Sequence, residues 1–136
     1  HRNPWNEIEC GSNYARSLAS YSLLNIFAGF QFDMVKGIIG FDPIQYADDI
    51  FTCFWSLATG WGTVELTDHS LTLNVLYGSL ELRQLRVPSH LDTTIILNVS
   101  LNDVDLEFSI NDTTIHLKTS IIIKADDQLS VKFKDT

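Results

Sequence analysis

The residues best equipped for chemistry lie together near the start of the chain, in Arg2-Asn3-Pro4-Trp5-Asn6-Glu7-Ile8-Glu9-Cys10-Gly11-Ser12-Asn13-Tyr14-Ala15-Arg16. Pro4 and Gly11 mark irregular backbone that leads into a helix. This mixture suits a sugar, which offers an apolar face of C–H groups and a rim of hydroxyls. Trp5 supplies a large flat ring for the face. Glu7 accepts hydroxyl protons through two oxygens, and Arg16 donates through a rigid fork. On the residues alone a plainer arrangement is favoured: Glu7 and Arg16 pair with each other and hold the loop against the helix start, as most such charged pairs do.

Glu7 and Glu9 invite comparison with the paired carboxylates of a glycosidase. Retaining hydrolysis needs two carboxyl groups about 5 Å apart across the scissile bond. Two residues separated by one in extended chain have Cα atoms roughly 7 Å apart on one short loop, which is a poor way to flank a bond. Glu9 is therefore read as a loop anchor, and no catalytic residue is assigned within this chain.

The run Asn3-Pro4-Trp5-Asn6-Glu7-Ile8-Glu9-Cys10-Gly11, with Tyr14-Ala15-Arg16-Ser17 and Ala19-Ser20-Tyr21, resembles a C-terminal motif of the non-lysosomal glucosylceramidase and bile-acid β-glucosidase family. These are retaining β-glucosidases with archaeal β-glucosidase/β-xylosidase relatives. The likeness continues, more weakly, through Lys36-Gly37, Gly40-Phe41, Thr59-Gly60-Trp61-Gly62-Thr63 and Tyr77-Gly78. Asn13 departs from the pattern, which has histidine there. The resemblance implies that Glu7 and Arg16 bind glucose hydroxyls, on the ring side away from the leaving group. It also implies that the nucleophile and the acid/base residue belong to upstream segments outside this chain. The first helix then corresponds to the last helix of an (α/α)₆ barrel. Residues 1–30 form a glycone-binding loop and terminal barrel helix, and residues 31–136 an antiparallel β region, folded together as one compact unit.

These side chains must be positioned by a scaffold of ordinary globular composition. The chain has 136 residues, 45% hydrophobic and 19% charged, enough for one domain with a real core and too apolar for disorder. Its net charge of −8 opposes nucleic acid or an anionic membrane as partner. No apolar run reaches the ~18 residues of a transmembrane helix. A start at His1-Arg2-Asn3 without signal-peptide character suggests a piece of something longer, placed in the cytoplasm. Cys10 and Cys53 are expected as buried free thiols. His1, His69, His90 and His116 have no ligand spacing, so neither metal nor cofactor is expected.

Periodicity predicts one helix from Ser12 to Ala28, capped by Gly29. Ala15, Leu18, Ala19, Ser22, Leu23 and Ile26 form one apolar stripe, while Leu24 and Phe27 carry apolar character round to the other side. Either the sheet that follows covers all of it, or one face belongs to a barrel and leaves the isolated chain prone to self-association. Beyond residue 30 the texture is β. Ile50 to Ala58 reads as a strand buried on both faces, with a short buried helix as the alternative; Trp61 reads as a core plug between glycines in preference to a sugar platform, and Gly78-Ser79 as a tight turn. Val104 to Ile110 reads as one strand, Asn102-Asp103 as a two-residue hairpin turn, and the Lys132/Lys134 segment as a guarded edge. About eight strands after one helix predict an α+β chain built on an antiparallel sandwich or curled sheet.

That pattern leaves a second function class open, a non-catalytic β-sandwich module binding carbohydrate or a partner protein through its sheet. Against it, the aromatic residues of the β region fall mostly at alternating core positions and not in an exposed row.

Overall fold

The computed structural model describes residues 11–44 and 50–134, apart from the side chains of residues 11–18 and Tyr21. One helix, α1 (Gly11–Ala28), precedes ten strands: β1 (Gln31–Asp33), β2 (Ile38–Gly40), β3 (Ile50–Leu57), β4 (Gly60–Thr67), β5 (Ser70–Arg86), β6 (Ile96–Leu101), β7 (Val104–Asp105), β8 (Phe108–Asn111), β9 (Thr114–Lys124) and β10 (Gln128–Phe133). The predicted α+β class, one helix followed by a curled and largely antiparallel sheet, is what the chain forms. The pairing of β2 with β5 is parallel, so the sheet is mixed.

Strand β5 organises the rest. Its first half pairs with β4 and β10, and its second half with β9 and β2. One half-sheet therefore runs β3-β4-β5-β10-β6-β7, and the other β1-β2-β5-β9-β8. The inward residues of both halves, among them Leu73, Leu82, Ile115 and Val131, belong to one hydrophobic cluster. Gly78-Ser79 is thus not a tight turn. Its flanking segments pair with other strands, and the chain passes from one half-sheet to the other at Gly78 (φ +77°). A side chain at Gly78 would stand 2.2 Å from the Thr59 carbonyl oxygen, so glycine lets the strands meet at this bend.

Three further expectations change for the same reason, that long-range pairing decides what local pattern leaves open. The Lys132/Lys134 segment is no edge: β10 is antiparallel to both β5 and β6, with Leu129 and Val131 fully buried and Lys132 turned outward. The run from Val104 to Ile110 is two strands, β7 pairing with β6 and β8 with β9. Strand β3 buries one face only. Cys53 and Trp55 point inward, whereas Ile50 and Phe54 are exposed. The Asn102-Asp103 turn is borne out, with both residues at positive φ (49° and 64°) as a type I′ hairpin requires.

The end of α1 is closed as its sequence predicts. Gly29 (φ +55°) takes the left-handed position, its N–H donating to Ile26 O (3.2 Å) and the Phe30 N–H to Asn25 O (3.0 Å). These are the two bonds of a Schellman cap. The helix does not lie on the sheet, however. From Ser22 to Phe27 its residues are exposed, and Ala28 alone is buried among those whose side chains are described. Of the two arrangements open from the sequence, the one in which the following sheet covers Ser22, Leu23 and Ile26 is not the one seen. Cys53 is a buried free thiol, and burial raises its pKa, so it is a core residue and not a nucleophile. Cys10 lies outside the described residues.

Candidate functional site

The predicted sugar contacts divide by location. Trp5 and Glu7 lie outside the described residues. Arg16 lies within α1, although its side chain lies outside what is described. Two other places in the β region have the makings of a site.

The first is a cleft of about 370 Å³ between the β4–β5 connection and the loop after β5, lined by Asp68, His69, His90, Leu91 and Asp92. Two imidazoles and two carboxylates invite an acid/base reading. Asp92 is already engaged: its Oδ1 accepts from the Thr94 N–H (3.0 Å) and the Thr94 hydroxyl (2.8 Å), capping the 3-10 turn Thr93–Ile95. Those bonds, the backbone one foremost, hold its carboxyl below the ordinary range. A glycosidase acid needs the opposite shift, towards the protonated form. Among the described residues, no group of three or more His, Cys, Asp or Glu is placed to hold a metal ion. Asp92 therefore serves this cleft as the cap of a turn.

The second is the outer face of β3, β4 and β5. Phe54, Trp61 and Tyr77, one from each strand, are 46%, 39% and 66% exposed. Trp61 is therefore not a core plug. It stands across from Ser56 on β3 and Tyr77 on β5, on the outward side of the sheet. The Trp61 and Tyr77 rings stack with centroids 6.1 Å apart and planes inclined by 20°, and Phe54 meets Trp61 at 5.8 Å and 44°. Both distances fall in the favourable range for aromatic pairs. An exposed aromatic row thus exists where sequence reasoning expected none.

This row is set by local backbone. A bulge opposite Trp61/Gly62 adds a residue to β5, so that Leu76 and Tyr77 are both exposed. Gly60 and Gly62 flank Trp61 where added side chains would stand 2.5 Å from Tyr77 O and 1.8 Å from Asn74 O. The alternation itself held a signal. Phe54 shares its parity with Thr52 and Ser56, polar residues that belong on a wet face.

No family model matches the sequence, and no curated protein matches it. Among solved structures the chain is similar to a GH127 β-arabinofuranosidase, with a TM-score of 0.46 and 14% identity over 73% of this chain and 18% of that one. The chain spans less than a fifth of that protein's length. That neighbour is a glycoside hydrolase, of a different family from the one the N-terminal motif resembles.

Proposed function

We propose that this chain is the C-terminal part of a β-glucosidase or glucosylceramidase-like glycoside hydrolase. Residues 1–30 bring Glu7 and Arg16 to the hydroxyl rim of the sugar and Trp5 to its apolar face. Residues 31–136 are the β platform on which that segment is mounted. The nucleophile and the proton donor come from the preceding part of the same polypeptide, which is the chain's principal partner.

The observation that carries this reading is the state of α1. Leu23, Leu24, Ile26 and Phe27 are between 47% and 60% exposed, and at 100° per residue they cover an arc of about 160°. A helix with so broad an apolar face is normally buried by other elements. The chain's own sheet does not bury it, which suits a helix completing a bundle or barrel supplied by more protein. The motif around Glu7 and Arg16 lies at or just before the same helix, so docking α1 would also deliver those residues to a pocket.

The test is made on the complete hydrolase. Arg16→Ala should lower kcat/KM for an aryl β-glucoside by roughly a hundredfold, since a sugar hydroxyl loses a charged partner worth about 3 kcal/mol. Unchanged kinetics would remove Arg16 from the site. The isolated chain should show no turnover, and clear hydrolysis that disappears in Glu9→Gln would overturn the division of roles.

The same apolar face leads us to expect self-association of the isolated chain, since monomers rarely leave such a patch uncovered. Sedimentation should show an average mass that rises with concentration and falls towards the monomer in Leu23→Ser/Phe27→Ser. A constant monomer mass across the range would refute it.

A further inference from the structure

We propose that the outward row Phe54–Trp61–Tyr77 is a binding platform for the pyranose rings of a neutral glycan. This goes beyond the Glu7–Arg16 reading and does not depend on it.

Three observations carry the inference. The first is that the row is built and not incidental. Three adjacent strands each contribute one ring, and the bulge together with Gly60, Gly62 and Gly78 fixes where Trp61 and Tyr77 stand. Trp61 and Tyr77 stack with planes inclined by 20° and stay 39% and 66% exposed, which leaves apolar ring surface for a sugar face to meet.

The second is the polar flank. Asn74 donates through Nδ2 to Thr63 Oγ1 (3.4 Å) and accepts at Oδ1 from Gln128 Nε2 (3.0 Å). This ladder of hydroxyl and amides runs along the outer face of β4, β5 and β10, on strands adjoining the aromatic row. A side-chain amide carries two N–H donors. Among the described residues, each of these amides commits one donor within the ladder, so the other remains to meet a ligand hydroxyl. Apolar ring faces beside donors and acceptors are what a sugar requires, with its C–H faces and hydroxyl rim.

The third is charge, which decides between ligands that stack on aromatic rings. Bases of single-stranded nucleic acid also stack, but their binding relies on a cationic groove along the phosphates. Neither the row nor the Thr63–Asn74–Gln128 ladder contains a cation, and the chain carries a net charge of −8. An uncharged ligand meets no such opposition. Together these observations select a neutral glycan.

The experiment titrates the chain with cellopentaose, following tryptophan fluorescence and heat, and compares xylopentaose and mannopentaose. Saturable binding is expected for at least one of them, unaffected by about 0.5 M NaCl because no ion pair is involved. Trp61→Ala and Tyr77→Ala should each weaken it about tenfold or more, with the circular dichroism spectrum and melting temperature close to those of the parent. Thr119→Ala, exposed on β9 in the other half-sheet, should leave it unchanged. Having two ring variants keeps the test valid if one fails to fold. No saturable binding to any of the three sugars would overturn the proposal. So would binding that both ring variants retain, or a row whose removal abolishes only self-association. Binding lost in Arg16→Ala but kept in Trp61→Ala would assign the sugar to the N-terminal segment and equally overturn it, leaving the hydrolase reading intact.

Discussion

Trp55→Ala is expected to cost about 4 kcal/mol of folding stability, the largest loss of any single side-chain truncation in this core. Trp55 is 1% exposed and is the largest of the fully buried side chains. It sits on the inward face of β3 opposite Gly62, where an added methyl would approach its ring to 3.0 Å. The neighbouring backbone is held by the β3–β4 and β4–β5 ladders and cannot collapse far into the space left behind. Since whole domains are stable by only about 5–15 kcal/mol, the variant should lie near the limit of folding. Trp55→Phe should behave differently. The indole Nε1 is buried with no hydrogen-bond partner among the described residues, and an unmet buried donor costs about 1–3 kcal/mol. Phenylalanine gives up ring volume but removes that donor, so its net loss should be about 1 kcal/mol. Urea unfolding of both variants checks this. Equal losses for Phe and Ala would mean that the indole N–H makes a bond worth keeping.

How much of this architecture is legible in the sequence depends on how local its cause is. Helix α1 and its Gly29 terminus were legible because periodicity and capping act within a few residues. So was the Asn102-Asp103 turn, since a two-residue connection with positive φ favours Asn and Asp. The burial of Cys53 was legible from the apolar strand-like run around it. Pairing across long sequence distances was not legible. Nothing near Lys132 reveals that Ser70 and Asn98 flank it, and nothing near Gly78 reveals that the two halves of β5 serve different sheet neighbours.

The site divides in the same way. The N-terminal motif was conspicuous because it concentrates unlike side chains in a short run, yet Trp5 and Glu7 lie outside the described residues. The aromatic row was missed because its members come from three strands, and only their pairing brings them together. Reading β3 as buried on both faces placed Phe54 in the core, and the glycines around Trp61 suggested a plug. In the fold those glycines instead let neighbouring backbone come close enough to hold Trp61 against Tyr77. A one-sided reading of β3, based on the polar parity of Thr52 and Ser56, would have put Phe54 on the exposed face.

The joint between α1 and the sheet turns on one glycine, and Gly29→Ala is expected to cost about 3 kcal/mol. Its left-handed φ of +55° is unfavourable for alanine by about 1–2 kcal/mol. The new methyl would also stand 2.0 Å from the Asp42 carbonyl oxygen, so backbone must move, at a further cost of about 1–3 kcal/mol. The segment that would have to yield is tied on both sides. The Asp42 N–H donates to Ala28 O (3.1 Å) and Gly29 O (3.2 Å), and its carboxylate accepts from the Ser89 N–H and hydroxyl (2.9 and 3.1 Å). Melting temperature should fall by roughly 10 °C. Under the proposed function this joint has a further consequence, because the direction in which α1 leaves the sheet would govern the delivery of Arg16 to the pocket. In the complete hydrolase, Gly29→Ala should therefore lower kcat/KM at temperatures where the protein is still folded, while Gly37→Ala, at another left-handed glycine away from this joint, should lower stability with kcat/KM unchanged below its melting point. If both variants lost stability and neither lost activity when folded, the orientation of α1 would have no part in forming the pocket.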